Sequence, residues 1–173
     1  MSKLITILLF LFPFTIQSQT LDVGLFGNVG AFGIVLDTFQ APLGPGFEGG
    51  VQVAFDDFMA HASFRRGIVG TKSQKSRYGL AQAGLGGTYE VFYFSLALDY
   101  MILDKRLEER TNIGAIGASL RFGVDIPVTD RIGLFGVANL GTNRLHTYAY
   151  FSGGVSYHFN WDTTTKSSFY TGE

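Results

Sequence analysis

Several short stretches of this 173-residue chain carry residue types that do chemistry. His61-Ala62-Ser63 sets an imidazole two positions from a hydroxyl, the makings of an activated serine nucleophile if a carboxylate orients the ring. Gly44 to Gly49, GPGFEG, has the G-x-G-x-x-G spacing with which a loop holds a pyrophosphate at the start of a helix. Arg65, Arg66, Lys72, Lys75 and Arg77 crowd five cations into one region, and such a cluster can grip phosphate oxygens through charge-assisted bonds. His61, His146 and His158 lie far apart, without ligand spacing or a carboxylate cluster beside them, so no metal site is expected. GTKS at Gly70 to Ser73 lacks the Gly-Lys pair of a phosphate loop. No cofactor is expected.

What these residues can do depends on the elements that carry them. GPGFEG runs out of a Pro-containing loop into GGVQVAF, an alternating segment, whereas a dinucleotide fingerprint must open a helix. From Leu21 onward no run has helical periodicity, and period-two alternation recurs over Leu21 to Val35, Gly46 to Phe55, Phe58 to Val69, Tyr78 to Tyr89, Phe92 to Leu103, Asn112 to Ile126, Arg131 to Gly141 and Thr147 to Trp161. The expected fold is therefore all-β: an eight-stranded antiparallel up-and-down barrel. Asp56-Asp57, the region around Glu90-Val91 and Pro127 to Asp130 are short connections. Leu36 to Pro45, Gly70 to Arg77, Asp104 to Thr111 and Thr142 to His146 are mostly longer. Alternation of short turns at one end with longer loops at the other, over an even number of strands, is the arrangement of barrels that cross a membrane.

Composition says which face is which. Hydrophobic residues make up 46% of the chain and charged ones 16%, with 23 Gly and 17 Phe. In the fifth segment Phe92, Phe94, Leu96, Leu98, Tyr100 and Ile102 share one face, opposite Tyr93, Ser95, Ala97 and Asp99. In the sixth, Ile116, Leu120, Phe122 and Val124 oppose Gly117, Ser119, Arg121 and Asp125. The second face is rich in Gly, Ser and Ala with scattered charges, which suits a narrow lumen better than a solvated surface dominated by Lys and Glu. Aromatics gather at the short-turn ends (Phe55, Phe58, Tyr89, Phe92, Tyr157, Phe159, Trp161), as an interfacial girdle does. With Asp56-Asp57 as a two-residue turn, Phe55 faces Phe58 outward, Gln52 faces His61, and Glu48 meets Arg65 inside. The expected lumen network comprises Glu48, Gln52, His61, Arg65, Asp99, Arg121, Asp125 and His158.

The two ends of the chain point the same way. Lys3, the apolar run Leu4 to Phe14 and a small polar exit make residues 1–18 a secretory signal peptide, with cleavage near Ser18-Gln19 and the barrel spanning 19–161. There is no Cys, so disulfides, thiolate chemistry and attachment through a lipidated cysteine are excluded; the net charge of −1 gives no sign of nucleic-acid binding. In SGGVSYHFNW, Ser152, Gly154, Tyr157 and Phe159 match in spacing the polar-x-Gly-x-x-aromatic-x-aromatic pattern by which the last strand of outer-membrane barrels is recognised for assembly. The segment resembles the closing strand of a small OmpA/OmpX-type barrel, and the pattern extends over essentially the whole mature chain. One departure is that Asn160 to Glu173 follow the aromatic, leaving 162–173 as a polar tail.

The resemblance implies a protein of the bacterial cell outer membrane, in contact with outer-membrane lipid and lipopolysaccharide, handled by the barrel assembly machinery and able to meet other outer-membrane proteins. The roles it implies are envelope integrity, membership of a larger complex, or adhesion, the last weakened by short loops. Arg66, Lys72, Lys75 and Arg77 either touch lipopolysaccharide phosphates or form a solvated loop. His61-Ala62-Ser63 is similar to the His-x-Ser pair of eight-stranded outer-membrane enzymes that deacylate lipid A. It sits in the third strand rather than late in the chain, no Asn follows Ser63, and the register turns it into the lumen. A non-catalytic role is therefore expected, with a lipid A hydrolase and a soluble lipocalin-like carrier as the alternatives.

Overall fold

A computed structural model describes residues 21–35, 43–55, 57–70, 75–104, 112–144 and 146–159. The proposed signal peptide, Trp161 and the polar tail lie outside the described residues. Eight strands follow in chain order: β1 (Leu21–Val35), β2 (Leu43–Phe55), β3 (Phe58–Gly70), β4 (Lys75–Tyr89), β5 (Phe92–Asp104), β6 (Asn112–Pro127), β7 (Ile132–Asn143) and β8 (Thr147–His158). Each pairs antiparallel with its neighbours, and β1 pairs with β8, closing the sheet into a barrel.

The register fixes the size of the ring. From Leu25 the row of partners runs through Val51, Ala62, Ala83, Leu98, Ala118, Thr142 and Thr147 and returns to β1 at Val35, a stagger of ten residues. With ordinary strand spacings that stagger over eight strands tilts them by about 40° and gives a backbone radius of about 8 Å. A bore of this width admits side chains and nothing larger. Inward tyrosines accordingly stand against inward glycines on the neighbouring strand. Tyr93 pairs with Gly123, Tyr148 with Gly141 and Tyr78 with Gly67, and in each pair a Cβ on the glycine would run into the tyrosine ring.

Faces alternate as the two-residue period demands. Leu98, Leu96 and Ile116 are about 70% exposed on the outside, whereas Arg65, Arg121 and Glu48 are at most 2% exposed inside. An apolar wall around a charged, buried centre is the inverse of a water-soluble barrel. Phe55 and Phe58 are direct partners across the β2–β3 turn, as are Gln52 with His61 and Glu48 with Arg65.

The strand ends differ from the sequence expectation. β2 begins at Leu43, so Pro45 and the whole of GPGFEG lie in a strand, and β4 begins at Lys75 rather than Tyr78. β7 runs to Asn143, and β8 stops at His158, short of Trp161. The ladder continues where the apolar alternation fades, because backbone pairing does not require a lipid-facing side chain. The connections at the longer end thus shrink to 36–42, 71–74, 105–111 and 144–146, and the last is shorter than the 128–131 turn at the other end. At the other end Glu90 takes up a left-handed conformation (φ 56°) to turn β4 into β5.

Close approach makes two outwardly similar glycines of β1 and β8 differ. A Cβ on Gly27 meets nothing, while one on Gly154 collides with the Gly27 carbonyl oxygen and with Asn28. Gly27→Ala should therefore leave the urea unfolding midpoint in lipid vesicles nearly unchanged. Gly154→Ala should lower stability by about 1–3 kcal/mol through overpacking at the β1–β8 seam.

Candidate functional site

The lumen holds the chemically capable side chains in layers. At the short-turn end His158 bridges two carboxylates, Nδ1 lying 2.6 Å from Asp22 and Nε2 2.9 Å from Asp125. Asp125 also accepts from the Gln52 amide (3.0 Å) and the Ser156 hydroxyl (2.6 Å). The layer thus ties β1, β2, β6 and β8 together at the mouth of the barrel. A cavity of about 20 Å³ beside it, touching Asp22, Gln52, Asp125 and His158, has room for about one water.

Above this comes an apolar plate. Phe26 and Phe135 stack at 4.6 Å between centroids, and Tyr93 stacks on Phe135 at 5.5 Å. The second polar layer is centred on Glu48, which meets Arg121 at 2.5 Å and Arg65 at 3.3 Å. Asn28 donates to Glu48 (3.4 Å) and to Ser152 (2.9 Å). Arg121 donates onward to Gln82 (3.0 Å), and Gln82 to Asp99 (2.9 Å) and Ser119 (2.6 Å); the Tyr148 hydroxyl also donates to Asp99. The Arg65 guanidinium lies over the Tyr150 ring, 3.6 Å from its centroid. Phe32, stacked on Tyr78 at 3.9 Å and near Tyr148, closes the lumen toward the longer connections.

All eight residues of the expected lumen network are buried inside the barrel. They do not form one network: Gln52, Asp125 and His158 belong to the lower layer, Glu48, Arg65, Asp99 and Arg121 to the upper, with the aromatic plate between. Asp22, Asn28, Gln82, Ser119 and Tyr148 complete the layers and were not singled out from sequence. Their signal was parity alone, since each falls on the inward face of its strand.

His61 and Ser63 both point into the lumen and are buried. Neither ring nitrogen of His61 hydrogen-bonds to Ser63 or to a carboxylate, so the two are not set as a base and its nucleophile. The barrel wall stands between them and any lipid. Among the described residues no group of three His, Asp or Glu side chains is placed to hold a metal. GPGFEG, being β-strand, offers no helix N-terminus to a phosphate.

The remaining candidates lie on the wall or at its rim. In β8 Ser152 and Gly154 face inward and Tyr157 outward, and Phe159, the residue after the strand, is exposed with its ring edge to face against Tyr157 at 5.3 Å. Arg66 and Arg77 are exposed on the outside of β3 and β4. Lys72 lies outside the described residues, and of Lys75 only the backbone is described. An open groove of about 890 Å³ runs along the wall past Arg66 and Arg77, over Val29, Pro45, Phe47 and Ile68.

No protein-family model matches the chain, and no curated protein matches its sequence. Solved structures share its architecture. Neisserial surface protein A aligns with a TM-score of 0.62 at 12% identity, over 83% of this chain and 100% of that one. Ail, the attachment invasion locus protein of Yersinia pestis, aligns with a TM-score of 0.53 at 11% identity, over 82% of this chain and 100% of its own. The same outer membrane protein in a phospholipid bilayer nanodisc aligns at 0.50, with 10% identity over 80% of this chain and 99% of that one. The chain has the fold of the small outer-membrane β-barrels. Its apolar wall around a buried polar interior is of the kind that suits a lipid surround.

Removing the carboxylate at the centre of the upper layer tests what holds the barrel's interior. Glu48→Ala leaves Arg65 and Arg121 buried without their anion, and the unfolding free energy in vesicles should fall by about 3–5 kcal/mol. Replacing Glu48, Arg65 and Arg121 together by Met should restore much of that loss, since no charge is then stranded.

Proposed function

We propose that this protein is a non-catalytic constituent of the bacterial outer membrane, acting in envelope integrity or as a subunit of a larger outer-membrane complex. The observation that carries the reading is the filled lumen. Two polar layers and two aromatic plates occupy the bore, which argues against a conducting channel. The pair with hydrolytic chemistry, His61 and Ser63, is enclosed with them, out of reach of a lipid ester. What the protein offers to its surroundings is therefore its wall and its rims.

Two features support contact with other envelope components. The outward Tyr157 and Phe159 beside the inward Ser152 and Gly154 give β8 the form that the barrel assembly machinery reads in a closing strand. Arg66 and Arg77 offer cations to the phosphates of lipopolysaccharide, with Lys72 and Lys75 nearby in sequence. Connections of at most seven residues give little reach for adhesion, which favours integrity or complex membership.

Gentle detergent extraction of the tagged protein from outer membranes, followed by mass spectrometry, tests this directly. The expected result is either a stoichiometric protein partner or the barrel alone with lipopolysaccharide, and in both cases a deletion strain keeps its lipid A species unchanged. Altered lipid A acylation in that strain would overturn the non-catalytic reading. In planar bilayers the purified barrel should show no steady conductance; stable open steps would contradict a plugged lumen.

A further inference from the structure

We propose that the groove on the outer wall of β1 to β4 is a binding site for a lipid with a phosphate monoester headgroup, Arg66 and Arg77 holding the phosphate and Val29, Phe47 and Ile68 an acyl chain. The proposal rests on the membrane reading above and adds to it a specific ligand class and the residues that select it.

The position of Arg66 carries the argument. Along the outer face of β3 the residues are Phe58, Ala60, Ala62, Phe64, Arg66 and Ile68, so the first charge has an exposed apolar side chain on each side of it. Its cross-strand neighbours are Phe47 on β2 and Gly79 on β4. From Phe58 in the aromatic girdle, eight residues at this tilt raise Arg66 about 20 Å along the membrane normal, inside the far edge of an apolar belt about 25 Å tall. A guanidinium there is poorly served by hydrocarbon and lies at the depth where lipid phosphates begin.

Arg77 supplies the second cation. It faces Ile68 across the β3–β4 ladder and is therefore the diagonal neighbour of Arg66, about 7–8 Å away at the backbone, close enough for two long side chains to converge on one anion. Gly79 leaves the space beside Arg66 open: a Cβ there would meet only the Phe64 ring. None of the ion pairs among the described residues uses Arg66 or Arg77. In register the backbone of Asp104 on β5 stands opposite Arg77. Two positive charges suit a phosphate monoester, whose charge near neutral pH is about −1.5 to −2. Val29 pairs with Phe47 in the same row, continuing the groove as an apolar track away from the cations.

Native mass spectrometry of the full-length mature barrel in non-ionic detergent, titrated with phosphatidic acid, phosphatidylcholine or glycerol 3-phosphate, tests the site. Phosphatidic acid should bind about tenfold more tightly than phosphatidylcholine, the gain expected of one charge-assisted contact, and glycerol 3-phosphate should not bind detectably. Arg66→Gln with Arg77→Gln should abolish the preference, Phe47→Ala with Ile68→Ala should weaken phosphatidic acid, and Arg131→Gln at the opposite rim should change neither. Each variant is first shown to be folded by the heat-dependent shift of its band on a denaturing gel. Equal affinity for the two lipids, a preference that survives in the double arginine variant, or equally tight binding of glycerol 3-phosphate would overturn the proposal. A barrel that stays monodisperse in buffer without detergent would instead defeat the membrane reading; failed lipid selectivity in a detergent-dependent barrel defeats only this inference.

Discussion

Hydrocarbon supplies no hydrogen bonds, and every other feature of this molecule follows from that. A sheet in lipid must leave no edge, so β8 must return to β1, and eight strands with a ten-residue stagger close on a bore only about 8 Å in backbone radius. Once the radius is set, the interior is narrow and cannot be left empty. It has to be filled by side chains whose volumes match around the ring, and the tyrosine-against-glycine pairs are how this sequence achieves the match.

Filling a narrow bore with charge raises a second constraint. Arg65, Arg121, Glu48, Asp99, Asp22 and Asp125 are removed from water almost as completely as any core residue, and each is tolerable only while its partners stay in place. The layered order answers this. Each polar layer ties together strands distant around the ring, and the aromatic plates above and below keep water from the upper layer. The charged interior is thus a set of cross-braces whose value lies in where they hold the wall as much as in their own energies.

The sequence discloses the fold readily because one period governs it. Alternation over Phe92 to Leu103 and Asn112 to Ile126 assigns faces residue by residue, and the two-residue turn at Asp56-Asp57 places Glu48 opposite Arg65 by counting alone. Counting within a hairpin cannot say which layers meet across the bore. That Arg121 reaches Glu48, 73 positions away, or that His158 sits between Asp22 and Asp125, depends on the stagger of the whole ring, which no local pattern encodes. Strand ends were equally hidden, since at Pro45 and Lys75 the ladder continues past the point where lipid-facing side chains mark it.

The seam between β1 and β8 bears on how such a molecule comes into being. Gly24 pairs with His158, and Asp22 touches the same histidine across 136 positions of chain. No stretch of the nascent polypeptide short of nearly its full length contains both lips of the ring. Any earlier form carries two unpaired edges that the bilayer interior cannot accept. Entry into the membrane and closure of the ring are therefore bound together, and the closing step joins ends remote in sequence, a kind of contact that forms slowly.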